Sequence, residues 1–276
     1  MLWVSRLRVH RLSWLTAVGL AGAFAPPSMA QYAVDVDLEY SAYLLFEAMP
    51  ARVRVRNDTA QTLVIGGSEH RMMLDLSVTG QDDRPMERTS RGPVLENEIV
   101  LPSQGREFKV DLRQHFRIQH PGRYTIRVYL NAGDRRYGSP VRCVDVVPGL
   151  DVKTVEKPLP DDPSRLRTYS LKYWERGQRE QLFLCVREQD GSVSYGVMAL
   201  GPVVRFMPPE LDVSNSGDVT VRHQASEAGI TTTTFKSTID GIIFLKQDVK
   251  PVAPPASYDE LRKRAGHKEG KTAHDR

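Results

Sequence analysis

Val34-Asp35-Val36-Asp37-Leu38-Glu39 and Val53-Arg54-Val55-Arg56 decide the fold. In both stretches every second side chain is apolar and those between are charged. Successive side chains of a strand point to opposite faces, so this period sets one face on a core and the other in water. A helix would instead need apolar residues three and four apart. The alternation recurs over 62–66, 73–79, 97–101, 107–112, 123–130 and 140–147. Turn-forming residues punctuate these runs: Asn57-Asp58-Thr59, Gly66-Gly67, Thr79-Gly80-Gln81-Asp82-Asp83, Pro102-Ser103-Gln104-Gly105, Pro121-Gly122 and Asn131-Ala132-Gly133-Asp134. Short strands between regular turns predict an all-β chain. The long helical stretches that a parallel α/β fold places between strands do not occur.

The character changes after residue 148. Pro148-Gly149 closes a strand, and Lys157-Pro158-Leu159-Pro160-Asp161-Asp162-Pro163 is too rich in proline for a ladder or a helix. Residues 149–167 are therefore expected to be an extended Pro-rich linker. Beyond it, 168–250 reads as strands again. Gln189-Asp190-Gly191, Ser214-Asn215-Ser216-Gly217 and Thr238-Ile239-Asp240-Gly241 each separate two alternating runs, which predicts three successive hairpins.

His120-Pro121-Gly122-Arg123-Tyr124-Thr125-Ile126-Arg127-Val128 resembles the tyrosine corner of immunoglobulin-like sandwiches, in which a Tyr hydroxyl ties a strand start to the preceding connection. Residues 50–66 resemble the early strands of secreted sandwich domains, some peptidase-inhibitor modules among them. Across 33–147 the chain thus resembles a bacterial immunoglobulin-like or fibronectin-type domain. The resemblance implies architecture alone, since fold does not carry function. Residues 168–250 resemble the meander of a propeller blade, although the span is too short for a closed propeller. The expected fold is an immunoglobulin-like β-sandwich over 31–148, the linker, and a small antiparallel β-meander module.

The two ends bear on location and charge. Arg6, Arg8 and Arg11, the apolar run Leu12–Ala25, and Pro26-Pro27-Ser28-Met29-Ala30 have the plan of a secretory signal peptide, 1–30, cut before Gln31. The formal net charge is +4, and loss of those three arginines leaves +1. Residues 261–276 hold six Lys or Arg against two acids, so 31–260 lies near −3. A nucleic-acid binder needs positive charge on its folded surface, so nucleic acid is not an expected partner. No later run is long and apolar enough to span a membrane once the signal is cleaved. The segment 251–276 is expected to be a disordered basic tail.

The motifs of reactive sites are missing. Neither phosphate-binding glycine pattern occurs, and there is no H-E-x-x-H or G-x-S-x-G. His70, His115 and His120 read as loop residues. His223 reads as a half-buried strand histidine with a hydrogen-bond partner. Asp212–Gly217 begins like a calcium loop, but the twelfth position is His223 where a bidentate Glu belongs, so it reads as a hairpin turn. Asp82-Asp83 and Asp161-Asp162 lie in polar loops that give no reason for split pKa values. No catalytic residue, cofactor or metal is assigned. Cys143 and Cys185 either form one disulfide in an oxidising compartment or are two inert buried thiols. Neighbouring Tyr173 and Trp174 must face opposite ways. Trp174 is expected in the core, and the pair to offer one partner-facing aromatic. Thr231–Thr234 reads as a hydroxylated, solvent-facing strand.

These readings converge on an exported, non-catalytic binding or structural protein of the bacterial envelope or periplasm, whose partner is another exported protein and whose oligomeric state stays open. One alternative is a peptidase-inhibitor-type sandwich acting through loop 79–93. Another is a hydrolase with a site at the module interface, drawing on His70, His115, His120, Asp212 and His223.

Overall fold

The computed structural model describes residues 31–66, 72–191 and 193–251. The expected signal peptide, the basic tail and His70 lie outside the described residues. The first half contains β1 (Tyr32–Leu38), β2 (Ala42–Leu44), β3 (Pro50–Asn57), β4 (Leu63–Ile65), β5 (Met72–Thr79), β6 (Glu98–Val100), β7 (Gln104–Asp111), the single-turn helix α1 (Leu112–His115), β8 (Gly122–Ala132), β9 (Arg135–Gly138) and β10 (Arg142–Val147). The second half contains β11 (Leu150–Pro158), β12 (Leu166–Arg176), β13 (Arg179–Glu188), β14 (Ser194–Pro202), β15 (Glu210–Val213), β16 (Asp218–Ser226), β17 (Gly229–Thr238) and β18 (Gly241–Pro251). The chain is all-β, with antiparallel sheets.

In the first half β1-β3-β7 form one sheet and β2-β10-β8-β5 another, with β9 on β8. β2 runs parallel to β10, and the other pairings in these two sheets are antiparallel. The alternation in the sequence sets the register. Val34 sits opposite Val55 and Val36 opposite Val53, and these side chains join Ile126, Val128 and Leu130 of the other sheet in one core. The charged positions fall on the outer face, where Arg54 lies between Asp35 and Glu107 on its neighbouring strands. Opposite charges across strands support the pairing by a few tenths of a kcal/mol to about 1 kcal/mol each. The Tyr124 hydroxyl donates to the His120 carbonyl at 2.7 Å.

The second half is two four-stranded meanders, β11-β12-β13-β14 and β15-β16-β17-β18, facing one core. Tyr169, Leu171, Leu182 and Leu184 of one sheet pack against Val219, Val221 and Phe235 of the other. The three predicted glycine turns join β13 to β14, β15 to β16 and β17 to β18. At Gly217, φ is +85° and an added Cβ would lie 2.7 Å from the Ser237 carbonyl and 2.9 Å from Pro160, so this turn requires glycine.

Several expectations are corrected. The linker 149–167 contains β11, paired with β12 from Leu150 to Pro158. The register of this strand shifts between Asp151 and Lys153, which breaks the period of two in its sequence, and the proline argument holds only past Pro158. Cys143 is a free, exposed thiol on β10 and Cys185 a free, partly buried thiol on β13; of the two alternatives the bridge is not formed, and the buried-thiol reading fits Cys185 and not Cys143. Burial pushes the Cys185 thiol up to about 12. Tyr173, not Trp174, enters the core; Trp174 is half-buried, with its indole N–H enclosed and unpartnered. Thr231 and Thr233 are buried, because they share with Phe235 the face of β17 that meets the core between the two sheets.

The two halves meet at an ion pair. Arg176, at the end of β12, donates to Glu47 at 2.5 Å, with both side chains nearly buried. Its guanidinium lies 4.2 Å from the Tyr40 ring centroid and 5.1 Å from that of Phe183. The same Glu47 oxygen accepts from the Leu44 N–H at 2.9 Å. Gly149, with φ of +70°, carries the chain across, where a Cβ would meet Leu44 at 2.7 Å.

Candidate functional site

The last strand of an up-and-down meander must lie at a sheet edge, and β18 does. Its sequence, Ile242-Ile243-Phe244-Leu245-Lys246-Gln247-Asp248-Val249-Lys250, opens on a continuous apolar run. Such a run ordinarily marks a strand covered on both faces. Here every residue from Ile243 to Pro251 is exposed. Ile243 is 53%, Phe244 58%, Leu245 52% and Val249 68% accessible, which makes this the most exposed apolar strand among the described residues. One side of β18 is hydrogen-bonded to β17, and no described strand pairs with the other.

The strand is firmly placed. Arg167 of β12 is fully buried and reaches under the β17–β18 turn. Its guanidinium donates to the carbonyls of Thr238 at 2.5 Å, Ile239 at 3.0 Å and Gly241 at 3.0 Å, and to the Ser237 hydroxyl at 2.9 Å. The Tyr195 ring stacks on it, 3.6 Å from ring centroid to guanidinium carbon. Glu188 balances the charge from 4.0 Å and also accepts from Arg165 and from the Tyr195 hydroxyl. Tyr169 adds a bond to Ser237 at 2.7 Å. A buried charge needs acceptors, and four serve the two terminal nitrogens of this one, while its Nε–H is left to the Glu188 charge at 4.0 Å. Farther along, Phe244 packs edge-on against Phe235, and the Gln247 amide donates to the Leu200 carbonyl at 3.0 Å and the Thr233 hydroxyl at 3.1 Å. The edge is thus preformed. Lys246 and Asp248 pair at 3.0 Å on its surface, and with Lys250 they place charge along an otherwise sticky strand.

Of the residues weighed for a hydrolytic site, the described ones, His115, His120, Asp212 and His223, sit on separate segments. His115 lies on α1, where its Nδ1 meets the Ser90 hydroxyl at 2.9 Å. Burial and the nearby Arg88 lower its pKa. His120 is exposed ahead of β8, and Asp212 is exposed on β15. His223 shares the inward face with Val219 and Val221 and is fully buried, deeper than the half-buried position expected of it. Burial lowers its pKa, with the Pro202 carbonyl acting the other way. Among the described residues no three metal-ligating side chains cluster. No described helix is long and apolar enough to cross a membrane.

Loop 79–93 is pinned to α1 by the Thr89 N–H on the His115 carbonyl at 2.8 Å and by the Ser90–His115 contact. Sequence reading missed Ser90, Arg167 and the exposed side chains of β18. The first two act on partners 25 and about 70 residues away, which no local pattern reveals. The third had a usable signal, the terminal position of β18 in a run of hairpins.

No protein-family model matches the chain, and no curated protein matches it. Among solved structures, the sporulation control protein Spo0M of Bacillus subtilis is 13% identical, with a TM-score of 0.29 over 87% of this chain and 98% of that one. A likeness at that level carries no argument about fold or function.

Proposed function

We propose that this chain is an exported, non-catalytic binding protein of the bacterial envelope or periplasm, acting on another exported protein through the edge strand β18. The observation that carries this reading is the exposed apolar run from Ile243 to Val249 on an unpaired edge held in place from behind by Arg167. An added partner strand satisfies free main-chain groups, while side chains on alternate positions select the partner. Lys246, Asp248 and Lys250 then set register and discourage indiscriminate pairing. An immunoglobulin-like scaffold over 31–148 belongs to this reading, supported by two sheets around one core and by the Tyr124–His120 bond. The inhibitor alternative gains some support from the pinning of loop 79–93, since a rigid loop loses little entropy on docking.

The test is site-specific photo-crosslinking in cells, with the reactive residue at Phe244, at Arg84 in the loop, and at Lys109 on the outer face of β7. A discrete protein adduct from position 244 alone is the expected result. An adduct from 84 alone would favour the inhibitor reading. Absence of any adduct at 244, or the same adduct from 109, would refute the edge. Cell fractionation with N-terminal sequencing tests export, with Gln31 as the expected first residue.

A further inference from the structure

At the seam between the halves, α1 and the β13–β14 turn enclose a cleft of about 260 Å³. Its walls include Phe46, Arg113, Arg117 and Gln119 from the first half and Gly191 and Ser194 from the second. Among the described residues no carboxylate lines it. Arg113 is half-buried, and its guanidinium donates to the Phe46 carbonyl and lies 5.6 Å from the Phe46 ring centroid. Neither Arg113 nor Arg117 forms an ion pair among the described residues. Burial lowers the Arg113 pKa, with the Asp111 carboxylate acting the other way; the Asp111 oxygen is taken up by the Met49 and Arg113 N–H groups and forms no ion pair with the guanidinium.

The two most enclosed guanidiniums among the described residues each have an anion. Arg167 has Glu188, and Arg176 has Glu47. Partly buried cations are ordinarily paired, and one left with a single carbonyl keeps most of its donors for something else. Arg117 lies four residues on along the same rim, exposed and without a carboxylate. Phe46, the residue that Arg113 holds, has φ of +72°, an uncommon conformation for a bulky side chain and of the kind that clusters at binding sites. The geometry points to a site for a small ligand bearing an oxyanion, a carboxylate or a phosphate, that is forked by Arg113 and Arg117 and rests its apolar part on Phe46. Gln119 and the Ser194 hydroxyl are further donors on the rim. This inference is independent of the β18 edge.

Calorimetric or NMR titration of the full chain tests it, with phenyl phosphate and hippurate as probes at constant ionic strength and chloride as the control salt. Saturable binding of at least one probe is expected, and the one that binds more tightly tells phosphate from carboxylate. Arg117→Glu, at an exposed side chain without an ion-pair partner among the described residues, should keep the melting temperature and weaken that probe by at least about tenfold, the worth of one charge-assisted hydrogen bond. Arg113→Gln should abolish binding, and if it fails to fold, Arg117→Glu alone decides. Equal binding by wild type and Arg117→Glu would overturn the inference. So would no saturation by either probe below about 10 mM, where affinity is under roughly 3 kcal/mol.

Discussion

Replacing Arg167 with Met tests how the edge strand is held. The two side chains are similar in length, so the substitution leaves little cavity, but every donor disappears. Three turn carbonyls and the Ser237 hydroxyl lose their partner at 2.5–3.0 Å. Each such bond is worth about 1 kcal/mol net, and more where water cannot replace the donor. Stacking on Tyr195 adds up to roughly 2 kcal/mol at a desolvated site. Glu188 is not orphaned, because Arg165 and Tyr195 still donate to it. Ile239 is 44% accessible, so water can rescue part of the turn. The sum is about 4 kcal/mol, within the range of about 3–5 kcal/mol found when a buried pair loses one member. Against domain stabilities of roughly 5–15 kcal/mol the loss is large. Hydrogen exchange followed by mass spectrometry is the suitable assay, because it reads the two cores separately. Amides of β17 and β18 should lose protection by a factor near 10³ while β1, β3 and β8 keep theirs. A loss under about 1 kcal/mol, or one shared equally by both halves, would refute the reasoning. Arg123→Gln, which breaks a solvent-exposed pair with Asp145, should leave exchange unchanged.

Other outcomes follow from the same interactions. Arg176→Met removes the cation from Tyr40, Phe183 and Glu47, and should expose the seam to limited proteolysis near Gly149 while each core stays folded. His223 has its pKa lowered in the fold, so the unfolded chain takes up its proton first; stability should fall as pH drops below about 6.5, by up to about 1.4 kcal/mol per pH unit. His223→Leu should flatten much of that slope between pH 6.5 and 5 in urea titrations, and His115, shifted the same way, should account for the rest. A thiol-labelling time course should modify Cys143 quickly and Cys185 only on unfolding, since burial pushes the latter thiol up to about 12, and the pattern should be the same with and without reductant.

The layered architecture was readable because period-two alternation is a local property: Val34, Val36, Val53 and Val55 announce their shared face without reference to any partner. Turn chemistry was equally local at Gly191, Gly217 and Gly241. What failed was whatever depended on register or distance. The register shift in β11 hid a strand behind an irregular pattern. Whether Tyr173 or Trp174 points inward depends on which face of β12 meets the second sheet, and period two alone leaves that choice open. Thr231 and Thr233 read as exposed because their hydroxyls are polar, whereas they share with Phe235 the face of β17 that packs on the other sheet. Arg167 and Arg176 had no distinguishing mark in the sequence, and only the fold gives each a set of acceptors or an anion. The edge itself is only half legible: the run of hairpins puts β18 last, and only the topology shows that no described strand covers it.

Amide hydrogen exchange of the purified full chain, measured strand by strand across a range of protein concentrations, tests the open edge most directly. The β18 amides directed away from β17 should exchange within seconds at every concentration, while the amides of β17 stay protected by its two neighbouring strands. Slow exchange at those outward β18 positions would contradict the account, because it would mean that the edge is already covered.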